Sequence, residues 1–259
     1  MAADGRRALP RHLALREALR NAPYLRKWVV LGALIGVIGG LGAITFSAAL
    51  DLATHLFLGN VAGYLPPTPL GEGGLPVTDA TRPWLIPLVV AAGGLLAGFI
   101  VFRWAPEAEG HGTDAAIAAY HHHPRRIRGR IPLIKLVASA VTIGSGGSGG
   151  REGPTAQISA GFGSFLSRAL DLEARDARIA VAAGMAAGIG AIFRAPLGGA
   201  ILGAEILYRD DVESDALVPA FIASIVAYSI FGAAVGFEPI FGAQVAAFGD
   251  PRQLGYYAL

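Results

Sequence analysis

The chain contains no cysteine. That excludes a disulfide framework and any thiolate metal centre. Charge is also scarce: 15% of the 259 residues are Asp, Glu, Lys or Arg, where a soluble domain carries about 25%. The net charge of +2 is too small to give a nucleic-acid footprint. No nucleophile–base pair is legible, since Ser145 and Ser148 have no partner histidine in view. An enzyme is therefore not expected, and neither is a cofactor. What the chain has is apolar surface and glycine. It is 53% hydrophobic, with 36 glycines and a mean hydropathy of +0.51. Small residues at that density let membrane helices approach closely. The expected fold class is all-α, a polytopic membrane protein.

What charge there is lies unevenly. Residues 1–27 carry Arg6, Arg7, Arg11, Arg16, Arg20, Arg26 and Lys27 against Asp4 and Glu17. The positive-inside rule keeps such a segment, and so the N-terminus, cytoplasmic. Its first part reads either as a surface helix with Leu13, Leu15 and Leu19 near lipid or as a disordered basic tail. The apolar run from Trp28 to Leu58 is long enough to span a bilayer. Gly32, Gly36 and Gly40 in it form overlapping G-x-x-x-G spacings, which predict a packed helix face. A Gly- and Pro-rich loop without a basic cluster follows and is expected on the outer side. Trp84 to Trp104 is the second span.

The pattern then breaks. Thr113–His122 predicts a helix too short to cross. Ile131–Gly144 is apolar but short, and another helix is predicted to open at Pro154. Ala177–Phe193, Ala195–Tyr208 and Ala216–Ala234 follow as apolar helices whose greasy residues run all round, unlike the single stripe of a soluble bundle. Broken helices at membrane depth survive only inside protein or beside a cavity. Transporters use them to aim helix N-termini, with unpaired N–H groups and partial positive charge, at anions.

The stretch GSGGSGGREGPTAQIS, Gly144 to Ser159, fits that use. Its glycines let backbone approach an ion, and Pro154 suits a first helical turn. The N–H groups of Gly153, Thr155 and Ala156 are expected to face the helix end. Glu152 beside them has two readings, at even weight. It is a gate that competes with an anion for the positive helix end, or a cap that pairs with its neighbours. A phosphate-binding loop is excluded because Gly150 stands where lysine is required.

These residues carry a family resemblance. GSGGSGGREGP resembles the G-K/R-E-G-P signature of the CLC chloride channels and proton-coupled chloride exchangers. AAGMAAGIGAIFRAPLGGAILGAEIL is similar to the family's next helices, with A-P-L-x-G at Ala195 to Gly199, and EGHGTDAAI looks like a divergent G-S-G-I-P element. The resemblance implies two inverted repeats of broken helices, of which residues 28–240 match the first. Residues 241–259 then start the connection to a second repeat, and the chain is expected to be an N-terminal half or fragment. It also implies a multi-pass protein of a bacterial inner or plasma membrane, chloride or another small anion as substrate, protons as a possible second one, and a homodimer in the full-length form. By position, Glu152 matches the gate. Arg151, Gly153 and Thr155 flank it at the outer anion, and His111 and Gly112 match the element at the central anion.

Three departures stand out. His111 replaces the family's serine or proline, which predicts pH-dependent anion binding, because a protonated imidazole adds charge. His111→Ser is expected to flatten the pH profile of transport, and an unchanged profile removes the idea. Ile206 stands where coupled exchangers carry a proton glutamate, leaving the adjacent Glu205 as the candidate relay. Tyr256 and Tyr257 do not fall in the context of the family's pathway tyrosine. The rival from another class is a non-conducting truncated fragment or scaffold that lacks the second repeat. YHHHPRRIRGR reads as a basic loop near anionic headgroups rather than a metal site, because successive histidines do not share a helix face. The acidic YRDDVESDA lacks the glycine of a calcium loop and reads as a solvated turn.

Overall fold

The computed structural model describes residues 22–76 and 79–240. The basic residues before position 22, and Tyr256 and Tyr257, lie outside them. The described residues form eight α-helices and no strand: α1 Tyr24–Thr54, α2 Ile86–Trp104, α3 Thr113–His122, α4 Arg130–Gly144, α5 Glu152–Ala169, α6 Ala174–Ile192, α7 Pro196–Glu205 and α8 Ser214–Val235. Three stretches among them are long and apolar enough to cross a membrane: Tyr24–Ala62, Pro83–Trp104 and Ser214–Val235.

Local chemistry sets the ends. α1 follows Pro23 and continues as π-helical turns over His55–Ala62 until Gly63, at φ 64°, stops it. It therefore starts earlier and ends later than the run from Trp28 to Leu58, because Tyr24 to Lys27 are good enough helix formers to extend it into polar surroundings. α3 occupies the predicted Thr113–His122 and halts before Pro124. Its 10 residues rise about 15 Å, half the ~30 Å of a hydrocarbon core. α7, with 10 residues and Pro196 in its first turn, is equally short.

One boundary differs in a way that matters. α5 opens at Glu152, two residues before Pro154. The residue before a proline normally avoids helical backbone because its Cβ meets the proline ring. Here that residue is Gly153, which has no Cβ, so the helix runs back through it. Arg151 is already helical at φ −88°, ψ −18°.

α6 forms the centre. Every residue from Ile179 to Ile192 is buried, and most are alanine or glycine. α5, α7, α8 and α1 all pack on it. The helices meet without side-chain padding: a Cβ on Gly184 would lie 2.5 Å from the Ser159 carbonyl oxygen, and one on Gly188 2.5 Å from that of Thr155. The glycine spacing on α1 also does what its pattern predicts. It packs on α8, where a Cβ on Gly36 would stand 2.6 Å from the Ala223 carbonyl. By contrast α2 turns Leu95 and Phe99 outward, 77% and 61% exposed, as a lipid-facing helix does. Gly188→Leu is expected to destabilise the protein by about 3 kcal/mol or more, by forcing α5 off α6. A thermal midpoint equal to the parent's in the same detergent would show that the contact is not rigid.

Candidate functional site

The short helices bring their ends together around Glu152. α3 begins at Gly112, whose φ of 111° suits glycine, and a Cβ there would sit 2.7 Å from the Gly153 carbonyl oxygen. The reciprocal contact is as tight: a Cβ on Gly153 would lie 2.3 Å from the His111 carbonyl oxygen. The starts of α3 and α5 therefore touch through their glycines. His111 Nε2 is 3.6 Å from Glu152 Oε1, with both side chains near half exposed. The other ring nitrogen, Nδ1, is 2.9 Å from Thr113 Oγ1. The Glu152 carboxylate folds back over Gly150, where a Cβ would collide with it at 2.3 Å.

Of the amides expected to face an ion, the structure separates two. Gly153 N–H has no hydrogen-bond partner among the described residues and lies in the first turn of α5. Thr155 N–H donates to the Arg151 carbonyl at 3.1 Å, and the Thr155 hydroxyl donates to the same oxygen. Thr155 is thus not a free amide donor. The cause is the early start of α5, which puts position 155 four residues beyond a carbonyl already in helical register. Ala156 lies deeper in the same helix.

Two cavities flank Glu152. One, of ≈ 440 Å³, is lined by His111, Lys135, Ser139, Thr142, Gly150 and Pro154 among others. The second, of ≈ 550 Å³, lies toward the loop after α1 and is lined by Glu152, Arg151, Asp51, His55 and Glu72 among others. Glu205 lines neither. It ends α7 with its side chain exposed, away from Glu152. The far end of α3 is pinned instead by Glu213 of the acidic turn, which accepts hydrogen bonds from Tyr120 and Tyr208.

Lys135 is the residue that motif reading missed. It is 3% exposed and donates from Nζ to the Ala108 and Gly110 carbonyls at 3.1 and 2.6 Å. No carboxylate among the described residues pairs with it. A buried, unpaired ammonium is expensive, and this one supports the loop that carries His111. Its signal was in plain view, a single lysine inside the apolar RIPLIKLVASAV.

A helix of half-membrane length, α3, that meets the start of α5 end to end beside a glycine loop is a broken-helix arrangement of the kind membrane transporters use. The chain belongs to the voltage gated chloride channel family, the CLC proteins, whose family model matches residues 93–259. It is therefore a multi-pass membrane protein. It is 32% identical over 217 residues to an uncharacterized protein of Methanocaldococcus jannaschii, covering 83% of this chain and 46% of the relative. A chloride/fluoride channel protein of Pseudomonas syringae pv. tomato is 28% identical over 211 residues, with 82% and 41% covered. An H(+)/Cl(-) exchange transporter ClcA of Yersinia pestis is 31% identical over 177 residues, with 66% and 34% covered. Two solved structures share the fold. A slow cyanobacterial Cl-/H+ antiporter superposes with a TM-score of 0.64 at 23% identity, over 91% of this chain and 52% of that one. A CLC-type fluoride/proton antiporter gives 0.69 at 20% identity, over 90% and 53%. The chain spans less than half the length of these curated relatives and about half of the two structures.

Proposed function

We propose that this chain supplies the Glu152-gated half of a CLC-type pathway for chloride or a similar small anion. The observation that carries the reading is the position of Glu152, in the first turn of α5 at the wall of the ≈ 550 Å³ cavity, beside a free Gly153 amide. A carboxylate there competes with an anion for the same positive helix end. Gly112 and Gly153 keep side chains out of the contact between the two helix starts, Arg151 adds positive charge on the loop side, and His111 faces Glu152 at 3.6 Å. The charge of Glu152, rather than a hydrogen bond to the backbone, is what competes with an anion for the helix end. This favours the gate over the simple cap, because the Glu152 carboxylate makes no hydrogen bond to a backbone N–H among the described residues. A homodimer and proton exchange are parts of the same proposal that rest on the family alone.

The test is chloride efflux from liposomes holding the purified chain, with external pH recorded in the same run, for the parent and for Glu152→Gln. The gate reading expects efflux that the substitution changes. Efflux from the parent that Glu152→Gln leaves untouched overturns it. A silent parent favours the scaffold reading for the chain on its own.

A further inference from the structure

The cavity on the loop side of Glu152 holds an ion pair that the pathway reading does not use. Arg151 Nη2 lies 2.6 Å from Glu72 Oε1, with side chains only 26% and 20% exposed. The two residues are far apart in sequence, and the pair is not a casual surface contact. Glu72 ends the short turn Leu70–Glu72, and that turn is clamped. Arg194 Nη1 donates to the Gly71 carbonyl at 2.8 Å and to the Glu238 carbonyl at 2.6 Å. Arg194 itself is 9% exposed and adopts a left-handed φ of 53°. A Cβ on Gly71 would stand 2.1 Å from the Pro239 carbonyl oxygen. The backbone thus delivers one carboxylate to the guanidinium next to the gate.

We propose that Glu72 competes with incoming anions for Arg151 and so sets anion affinity at the loop-side mouth of this cavity. The inference rests on the reading of the α5 start as an anion path. With Glu72 in place, the cavity presents the carboxylates of Asp51, Glu72 and Glu152 against Arg151, with His55 beside them. An anion arriving from this side meets a guanidinium whose Nη2 already faces Glu72 Oε1 at 2.6 Å, and it competes with that carboxylate for the same charge. A carboxylate held against the guanidinium offsets its charge and occupies one of its donors, so a second anion there binds less well. Glu72 therefore lowers anion affinity at the loop-side mouth and keeps the site free to release what it binds.

The experiment is chloride binding to the purified full chain in detergent, read by chloride NMR line broadening, which requires no flux. Glu72→Gln is expected to tighten apparent chloride affinity about tenfold, and adding Arg151→Gln is expected to abolish the gain. Asp51→Asn removes a nearby negative charge without freeing Arg151, so its gain should stay below about twofold. An equal gain from Asp51→Asn would mean a general field effect and would overturn the competition. Unchanged or weaker binding in Glu72→Gln, with the helical circular dichroism retained, also overturns it. If Glu72→Gln does not fold, Glu72→Asp replaces it: the shorter carboxylate loosens the pair and is expected to tighten binding too, and no gain there counts against the proposal. The liposome test of Glu152→Gln has a separate readout, so the gate reading can fail while this measurement still returns its own result.

Discussion

Glu152→Gln is expected to raise apparent chloride affinity at the start of α5 and to weaken, without abolishing, the dependence of efflux on external pH. The substitution keeps the shape of the side chain and deletes its charge and its proton. A neutral amide is not drawn to the helix end as a carboxylate is, so the anion no longer has a rival. An amide also does not titrate, so acid cannot release it. The size follows from electrostatics. A unit charge ~4 Å from a partner is worth about 4 kcal/mol at an effective dielectric of ~20. Glu152 and His111 are 43% and 48% exposed, so screening reduces the change to about tenfold in affinity. Efflux that keeps the parent's pH dependence in Glu152→Gln would assign the proton-sensitive step elsewhere, with His111 next in line.

The second large effect belongs to Lys135. Lys135→Met keeps the volume of the stem and removes the ammonium. The buried Ala108 carbonyl and the more exposed Gly110 carbonyl then lose their donor. Each lost hydrogen bond costs about 1–3 kcal/mol, partly offset because an unpaired charge is no longer held out of water. Chloride affinity is expected to fall by about tenfold or more, since the nearest buried positive charge lining the ≈ 440 Å³ cavity has gone. Lys135→Arg retains the charge, and its affinity should return toward the parent's even if its stability does not. Chloride NMR line broadening reads the first quantity and thermal unfolding the second. Unchanged affinity in Lys135→Met would reduce Lys135 to a structural prop for the His111 loop.

The two cases differ in how visible they were. Glu152 was legible because its signature is local: glycines, a charge and a proline in one contiguous stretch. α3 was legible to the residue for the same reason, being bracketed by Gly112 and Pro124. The start of α5 was misplaced because the rule against helical backbone before proline has an exception when that residue is glycine. This one error also misassigned the Thr155 amide. Lys135 could have been found by treating any lone ionisable residue in an apolar run as suspect. Glu72 could not. It meets Arg151 across a long stretch of intervening chain, through a turn held by Arg194, and no local pattern encodes that meeting. Glu205 was named from its family position alone, and the structure places it exposed at the end of α7, away from Glu152.

The interface between α5 and α6 has a consequence for timing. Where Gly184 and Gly188 meet the main chain of α5, no compressible layer of side chain lies between the helices. A helix seated that way neither rolls nor slides without breaking contact along its length, because packed interiors do not deform smoothly. The anchored part of α5 begins at Thr155, one turn from Glu152. The cheapest way to open the mouth is thus a torsion of one carboxylate side chain over Gly150, a movement on the picosecond to nanosecond clock. On the proposed gating, slower steps then belong to the arrival and departure of ions, not to the swing of a helix.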